Sequence, residues 1–341
     1  MTEHAKTRFG VTWVPRSVEG HASLAEQSER AGFELFGVPD SPAAGYRECY
    51  VCVTNAVIRT SRLAVGPLVT NPVTRHPGTV ASALWSLGEL GGERVFFCIG
   101  AGDTGVNKLG LRPAPVDLIE EYVVAVQALL SGERADFEGN SLELEFSPRS
   151  VPVFIAANGP RTLELAARIA DGILVGAGVT DEVVARVDAA CAQADRALEV
   201  WYMLRSSIHE DSAAAVREVL PAVVSAAKHV FQLPSAVDEA PAELRDAIRS
   251  LLQGYDMRFH TAPFESNPNA QHAEALGLAD FLVDRLGMAG TPAQCRARLD
   301  ELARRGIDRV MVRPLTGDPE TFLRHWTAVS GASGSTRPEQ A

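Results

Sequence analysis

Short β-branched or aromatic runs alternate with amphipathic stretches along nearly the whole chain, and that alternation restricts the fold more than any other feature. Strands are expected at residues 9–14, 34–38, 63–69, 94–99, 151–156, 172–175, 199–206 and 309–312. Helical patterns fall between them at 23–31, up to 59, and at 79–90, 115–130, 161–170 and 181–197. Residues 137–146 read as a small hairpin or excursion. Residues 212–286 are too many for one crossover, and five prolines divide them into several helices. A last helix opens at Thr291 with Pro292 at its first position. Eight strands alternating with helices over about 320 residues predict an α/β chain folded as a (β/α)8 TIM barrel. The expected layout is one domain over 1–330, with its largest, helical insertion at about 212–286 between strands seven and eight. The small polar tail at 331–341 is expected to lack fixed structure. An open doubly wound sheet is the competing architecture, but the first βα turn lacks its G-x-G-x-x-G fingerprint.

Hydrophobic residues are 46% of the chain, enough for a sizeable core. A net charge of -11 argues against nucleic-acid or anionic-membrane partners and leaves a small-molecule substrate as the expected one. No stretch approaches the roughly 20 apolar residues of a membrane helix. The first residues lack the apolar core of a signal peptide, so a cytoplasmic location is expected. Five scattered cysteines do not form a disulfide framework. Cys49 and Cys52 make a lone C-x-x-C with no further ligands at zinc spacing, so both are read as packing residues and no metal site is expected.

In a (β/α)8 barrel the chemistry gathers on loops after the strands. After the first strand, Trp13 either walls a pocket or packs at the rim. After the second, Asp40 either accepts from a ligand's ring N–H or caps the next helix. The third strand runs into Thr70, Asn71, Thr74, Arg75 and His76, with Pro67, Pro72 and Pro77 stiffening the backbone. Asn71 carries a donor and an acceptor, suited to the edge of a uracil-like ring, while Arg75 and His76 are placed to hold an anion or the substrate. The alternative is a plain turn, with Arg75 paired to a surface acid. After the fourth strand, residues 100–107 combine small residues, which let a planar ligand approach the backbone, with Asp103, Thr104 and Asn107. After the fifth, Ala156, Ala157, Asn158 and Gly159 open a helix whose N–H groups suit an anion. Gly176 and Ala177 form a second small-residue turn after the sixth. Two such turns can grip one phosphate.

Four segments together resemble the luciferase-like monooxygenase superfamily, and most closely its coenzyme F420-dependent oxidoreductase branch. They are the Thr-Asn-Pro-x-Thr-Arg-His-Pro run, Gly-Ala-Gly-Asp with Leu-Gly-Leu-Arg-Pro, Ala-Ala-Asn-Gly-Pro-Arg with Ala-Asp-Gly, and Gly-Thr-Pro near the end. The resemblance implies a homodimeric barrel and a cis peptide at Leu68-Val69 in a bulge that backs the deazaflavin ring. It implies that Asp40, Thr70, Asn71 and Asn107 line the cofactor, and that Ala157, Asn158, Gly159, Gly176 and Ala177 hold its phosphate. The expected activity is hydride transfer between F420 and a substrate bearing C=O, C=N or activated C=C. The alternatives are an FMN-dependent monooxygenase fed by a separate reductase, and a catalytically silent cofactor-binding protein. Many deazaflavin enzymes carry His where Ser41 stands here, so a proton must come from elsewhere; Asp103 and His76 are the candidates, with Trp13 as a further catalytic candidate. An already cationic substrate such as an iminium would need no acid.

Overall fold

The structure, a computed structural model, describes residues 7–42, 45–260 and 262–331. The chain adopts the α/β (β/α)8 barrel fold, its parallel strands each leading into helix. It divides into two compact units. The tail expected to lack fixed structure lies, from residue 332 on, outside the described residues.

The first unit takes Phe9–Leu174 and Asp188–Trp201. It holds β1 (Arg8–Thr12), α1 (Val18–Arg30), β2 (Leu35–Val38), α2 (Cys49–Arg59), β3 (Ala64–Pro67), α3 (Pro77–Gly91) and β4 (Phe97–Ile99). There follow α4 (Thr104–Lys108), α5 (Val116–Leu130), the antiparallel hairpin β5 (Ala135–Phe137) and β6 (Asn140–Leu142), β7 (Val153–Ala156), α6 (Pro160–Ile169) and β8 (Gly172–Val175). β1, β2 and β3 pair in parallel, with Val11 opposite Phe36 and Phe36 opposite Val65. β4 pairs with β7 and β7 with β8, Ile99 facing Ile155 and Ile155 facing Ile173. Every one of these partner side chains is wholly buried, as strands covered on both faces require. β3 and β4 meet at Val65–Val95 and Thr70–Ile99, and a Cβ on Gly66 would lie 2.1 Å from the Phe96 carbonyl oxygen. Only glycine permits that approach. The peptide bond Leu68-Val69, just past β3, is cis.

The second unit takes Val175–Val187 and the described residues from Tyr202 onward. β9 (Glu199–Ile208) pairs in parallel with β11 (Arg309–Pro314) through Val310–Tyr202 to Pro314–Ser206. It also pairs with β10 (Gly287–Gly290), a strand absent from the sequence reading because Gly-Met-Ala-Gly carries no β-branched residue. Between β9 and β10 lie α8 (Ser212–Val230), α9 (Pro234–Asp238), α10 (Arg245–Gln253), α11 (Pro268–Ala275) and α12 (Ala279–Leu286). These are the expected inserted helices, although Pro221 sits inside α8 rather than breaking it. α13 (Pro292–Arg304) opens on a capping box, Thr291 and Gln294 bonding reciprocally, and α14 (Pro319–Ser330) follows β11. α7 (Asp181–Cys191) follows β8.

Candidate active site

The loops after β2, β3, β4 and β7 converge within the first unit. Past the end of β3 the chain stays tied to its neighbours: Leu68 N–H donates to Val38, Thr70 N–H to Cys98, and Gly100 N–H to the Thr70 carbonyl at 3.0 Å. A Cβ on Gly100 would sit 3.2 Å from Val69 Cγ1 and 3.2 Å from the Ala156 methyl. A Cβ on Gly102, whose φ is +81°, would lie 2.4 Å from Val106 and 3.1 Å from Asn71 Cβ. The small residues Gly100 and Ala156 therefore bring the chain after β4 and the end of β7 close against Val69.

A polar cluster occupies the loops after β2 and β3. Asp40, 6% exposed, accepts from Thr70 Oγ1 at 2.7 Å and from Arg75 Nε and Nη2 at 2.9 and 3.1 Å. The Arg75 guanidinium also reaches Glu48 at 2.5 Å and lies over the Tyr50 ring, 4.8 Å from its centre. Hydrogen bonding to Asp40 drives the Arg75 pKa up, so the guanidinium is permanently charged. Sequence reading gave Arg75 either to an anion or the substrate or to a surface acid; the fold pairs it with two acids, buried Asp40 through a bidentate fork and exposed Glu48, closing the β2 and β3 loops. Asn71, 3% exposed, accepts at Oδ1 from Val73 N–H, Thr74 N–H and Thr74 Oγ1, at 3.0, 3.0 and 3.2 Å. Its acceptor is thereby occupied, and among the described residues Nδ2 has no partner. The expected donor-and-acceptor edge becomes a donor alone.

Asp103 precedes α4 and accepts from Asn107 Nδ2 at 3.0 Å and Thr104 Oγ1 at 3.3 Å. Asn107 itself is exposed. Gly105 closes α4 onto the β2 loop, a Cβ there lying 3.0 Å from Ser41 Oγ. Two candidates stand apart from the cluster. His76 is exposed and caps α3, its Nδ1 accepting from Gly78 N–H at 3.2 Å, with its ring edge-on to Phe137. Trp13 is 4% exposed and donates its indole N–H to Ser28 of α1 at 3.2 Å, which is packing between β1 and its helix. Cys49 and Cys52 lie in α2 with Cys49 Sγ on the Val38 carbonyl, and burial pushes both thiols up.

The first small-residue turn, Ala157–Asn158–Gly159, leads straight into α6. Thr162 Oγ1 bonds both the N–H and the carbonyl of Gly159, holding that turn in shape for an anion at the helix N-terminus. In the second unit the other turn is braced from the inserted helices. Arg285 of α12, 2% exposed, donates to the Ala177 carbonyl at 3.3 Å, and its own carbonyl would lie 2.4 Å from a Cβ on Gly178. Arg285 in turn pairs with Glu239 at 3.5 Å and lies over Phe231. Sequence reading missed this brace: Arg285 is 108 residues from Ala177, and nothing local to either announces the other.

A family model described as luciferase-like monooxygenase matches residues 5–309. The chain is 28% identical over 324 residues to the 5,10-methylenetetrahydromethanopterin reductase of Archaeoglobus fulgidus, covering 89% of this chain and 92% of that one. It is 30% identical over 215 residues to the F420-dependent glucose-6-phosphate dehydrogenase of Beutenbergia cavernae, covering 54% and 61%. Among solved structures, the coenzyme F420-dependent tetrahydromethanopterin reductase of Methanopyrus kandleri superposes with a TM-score of 0.71 at 22% identity, covering 96% of this chain and 98% of that one. That likeness is one of fold.

Proposed function

The chain belongs to the luciferase-like monooxygenase family, and from that premise we propose that it is an oxidoreductase moving a hydride between coenzyme F420 and a small organic substrate bearing C=O, C=N or activated C=C. What supports the reading is the close approach of Val69, Gly100 and Ala156 after β3, β4 and β7, with Asn71 packed at Gly102 and its Nδ2 without a partner among the described residues. That geometry suits a flat heterocycle with a carbonyl at its edge. The chain-length likeness to a methylenetetrahydromethanopterin reductase favours a deazaflavin over FMN.

When bound, the deazaflavin supplies a two-electron hydride donor or acceptor carbon. The protein's part is to bind, orient and exclude water. In this proposal Leu68, Val69, Gly100 and Ala156 form the bed, and Thr70 and Asn71 flank the ring. Asp40 acts mainly through its neighbours, fixing Thr70 and Arg75, since three hydrogen bonds from its own chain already engage its carboxylate. The turn at Ala157–Gly159, at the N-terminus of α6, takes the phosphate. Asp103, steadied by Asn107 and Thr104, is the group that holds or moves a proton at the substrate. His76 and Trp13 are engaged elsewhere. The proposal includes a cytoplasmic homodimer; no helix among the described residues is long and apolar enough to cross a membrane.

Purified protein titrated with F420 and, separately, with FMN tests the reading. Binding of F420 at micromolar concentration or tighter is expected; copurified FMN with no affinity for F420 would sink it in favour of the monooxygenase.

A further inference from the structure

Arg205 and Arg313 are register partners on the neighbouring parallel strands β9 and β11. Side chains of residues in register leave a sheet on the same face, so two guanidinium groups project side by side. Both sit near the C-terminal ends of their strands, the end where (β/α)8 enzymes place their chemistry. The opposite face, formed by Leu204, Val310 and Val312, is wholly buried and apolar. Among the described residues neither arginine has a hydrogen-bond or ion-pair partner, and Arg205 Nη1 is buried without one. Ser207, on the same face as Arg205, donates to Glu218 of α8 at 2.5 Å.

Two like charges held adjacent with one donor buried are unfavourable unless something else meets them. Burial and the facing Arg313 push the Arg205 pKa down to about 9, which still leaves Arg205 cationic at neutral pH. The other two arginines described above each have a carboxylate: Arg75 has Asp40 and Arg285 has Glu239. The missing counter-charge is therefore a ligand's. We propose that Arg205 and Arg313 form a subsite for an oxyanion group, a carboxylate or phosphate, carried by the substrate. This rests on the hydride-transfer reading for what the substrate does next, and it narrows the substrate class to anionic molecules. Paired guanidinium forks match the geometry of such groups, each offering parallel N–H donors.

The test follows the melting temperature of the full-length protein with inorganic phosphate at constant ionic strength, first alone and then saturated with F420 so that the cofactor's own phosphate is already in place. Wild type is expected to be stabilised by phosphate in both states. Arg205→Met is expected to weaken the phosphate response by roughly tenfold or more in concentration, and to melt no lower than wild type in phosphate-free buffer because a like-charge contact is relieved. Arg313→Gln gives the same reading from the partner strand should the first variant fold poorly, and Arg205→Lys should recover part of the response. An equal phosphate response in wild type and both variants would overturn the subsite. So would a response that disappears once F420 is bound, with Arg205→Met weakening F420 but not a deazaflavin lacking phosphate and glutamates; the pair would then belong to the cofactor's tail. A protein that binds no F420 at all sinks the hydride-transfer reading alone, because the difference between wild type and variants in phosphate is read without it.

Discussion

The amide of Asn71 is divided between two tasks, with Oδ1 closing the turn over Val73 and Thr74 and Nδ2 left as a donor without a partner among the described residues. That division can be separated by substitution. Asn71→Asp keeps an oxygen for the turn and removes the donor, so F420 affinity should fall roughly tenfold, the worth of one hydrogen bond of about 1.4 kcal/mol. The melting temperature should move by no more than about 2 °C. Asn71→Ala removes both and should lower stability as well as affinity. Equal F420 affinity in wild type and Asn71→Asp would return Asn71 to a purely structural role. The residue types were legible here from sequence, and their partners were not. Thr70, Asn71 and Arg75 read as a dense polar run, but whether Arg75 faces a ligand or Asp40 depends on a contact 35 residues away in the chain.

At the scale of single elements, α1 shows how local chemistry sets a boundary and how tertiary packing sets a charge. The sequence pattern starts the helix at 23; it starts at Val18, because Ser17 caps it by accepting from Gly20 N–H at 3.1 Å. The extra turn carries His21 inward against Phe36 of β2, with ring centres 5.0 Å apart. His21 is 1% exposed, neither ring nitrogen has a partner, and burial lowers its pKa to about 4 from 6.5. The unfolded chain binds this proton between pH 6.5 and 4 while the folded one refuses it. The stabilising contribution is thus full above pH 6.5 and is lost as pH falls to about 4, reaching on the order of 3 kcal/mol. Denaturant titrations across that window should show the loss in wild type and a much flatter profile in His21→Leu; identical profiles would place the titrating group elsewhere. The strands followed the sequence more closely than the helix starts did, because β-branched runs mark a buried parallel strand directly. β10 escaped for the complementary reason, since its pairing with β9 comes from backbone alone.

For the molecule as a whole, the proposed homodimer has a surface to rest on. α2 exposes Val51 and Ile58, 47% and 61% accessible and two helical turns apart on one face. Ile58→Glu is expected to convert dimers to monomers in sedimentation experiments without loss of F420 binding; a wild-type protein that sediments as a monomer would remove the homodimer. The eightfold alternation made the barrel legible at this scale, whereas the long-range brace from Arg285 to Ala177 was not. That brace bears on how such an enzyme could be re-engineered or diversify. The helices between β9 and β10 look like a detachable module, the natural place to exchange one specificity for another. Yet the guanidinium that steadies the turn after β8 is rooted in their last helix and anchored there to Glu239. A graft that replaced these helices while discarding Arg285 would also release the turn after β8. The inserted helices and the turn after β8 are therefore inherited together.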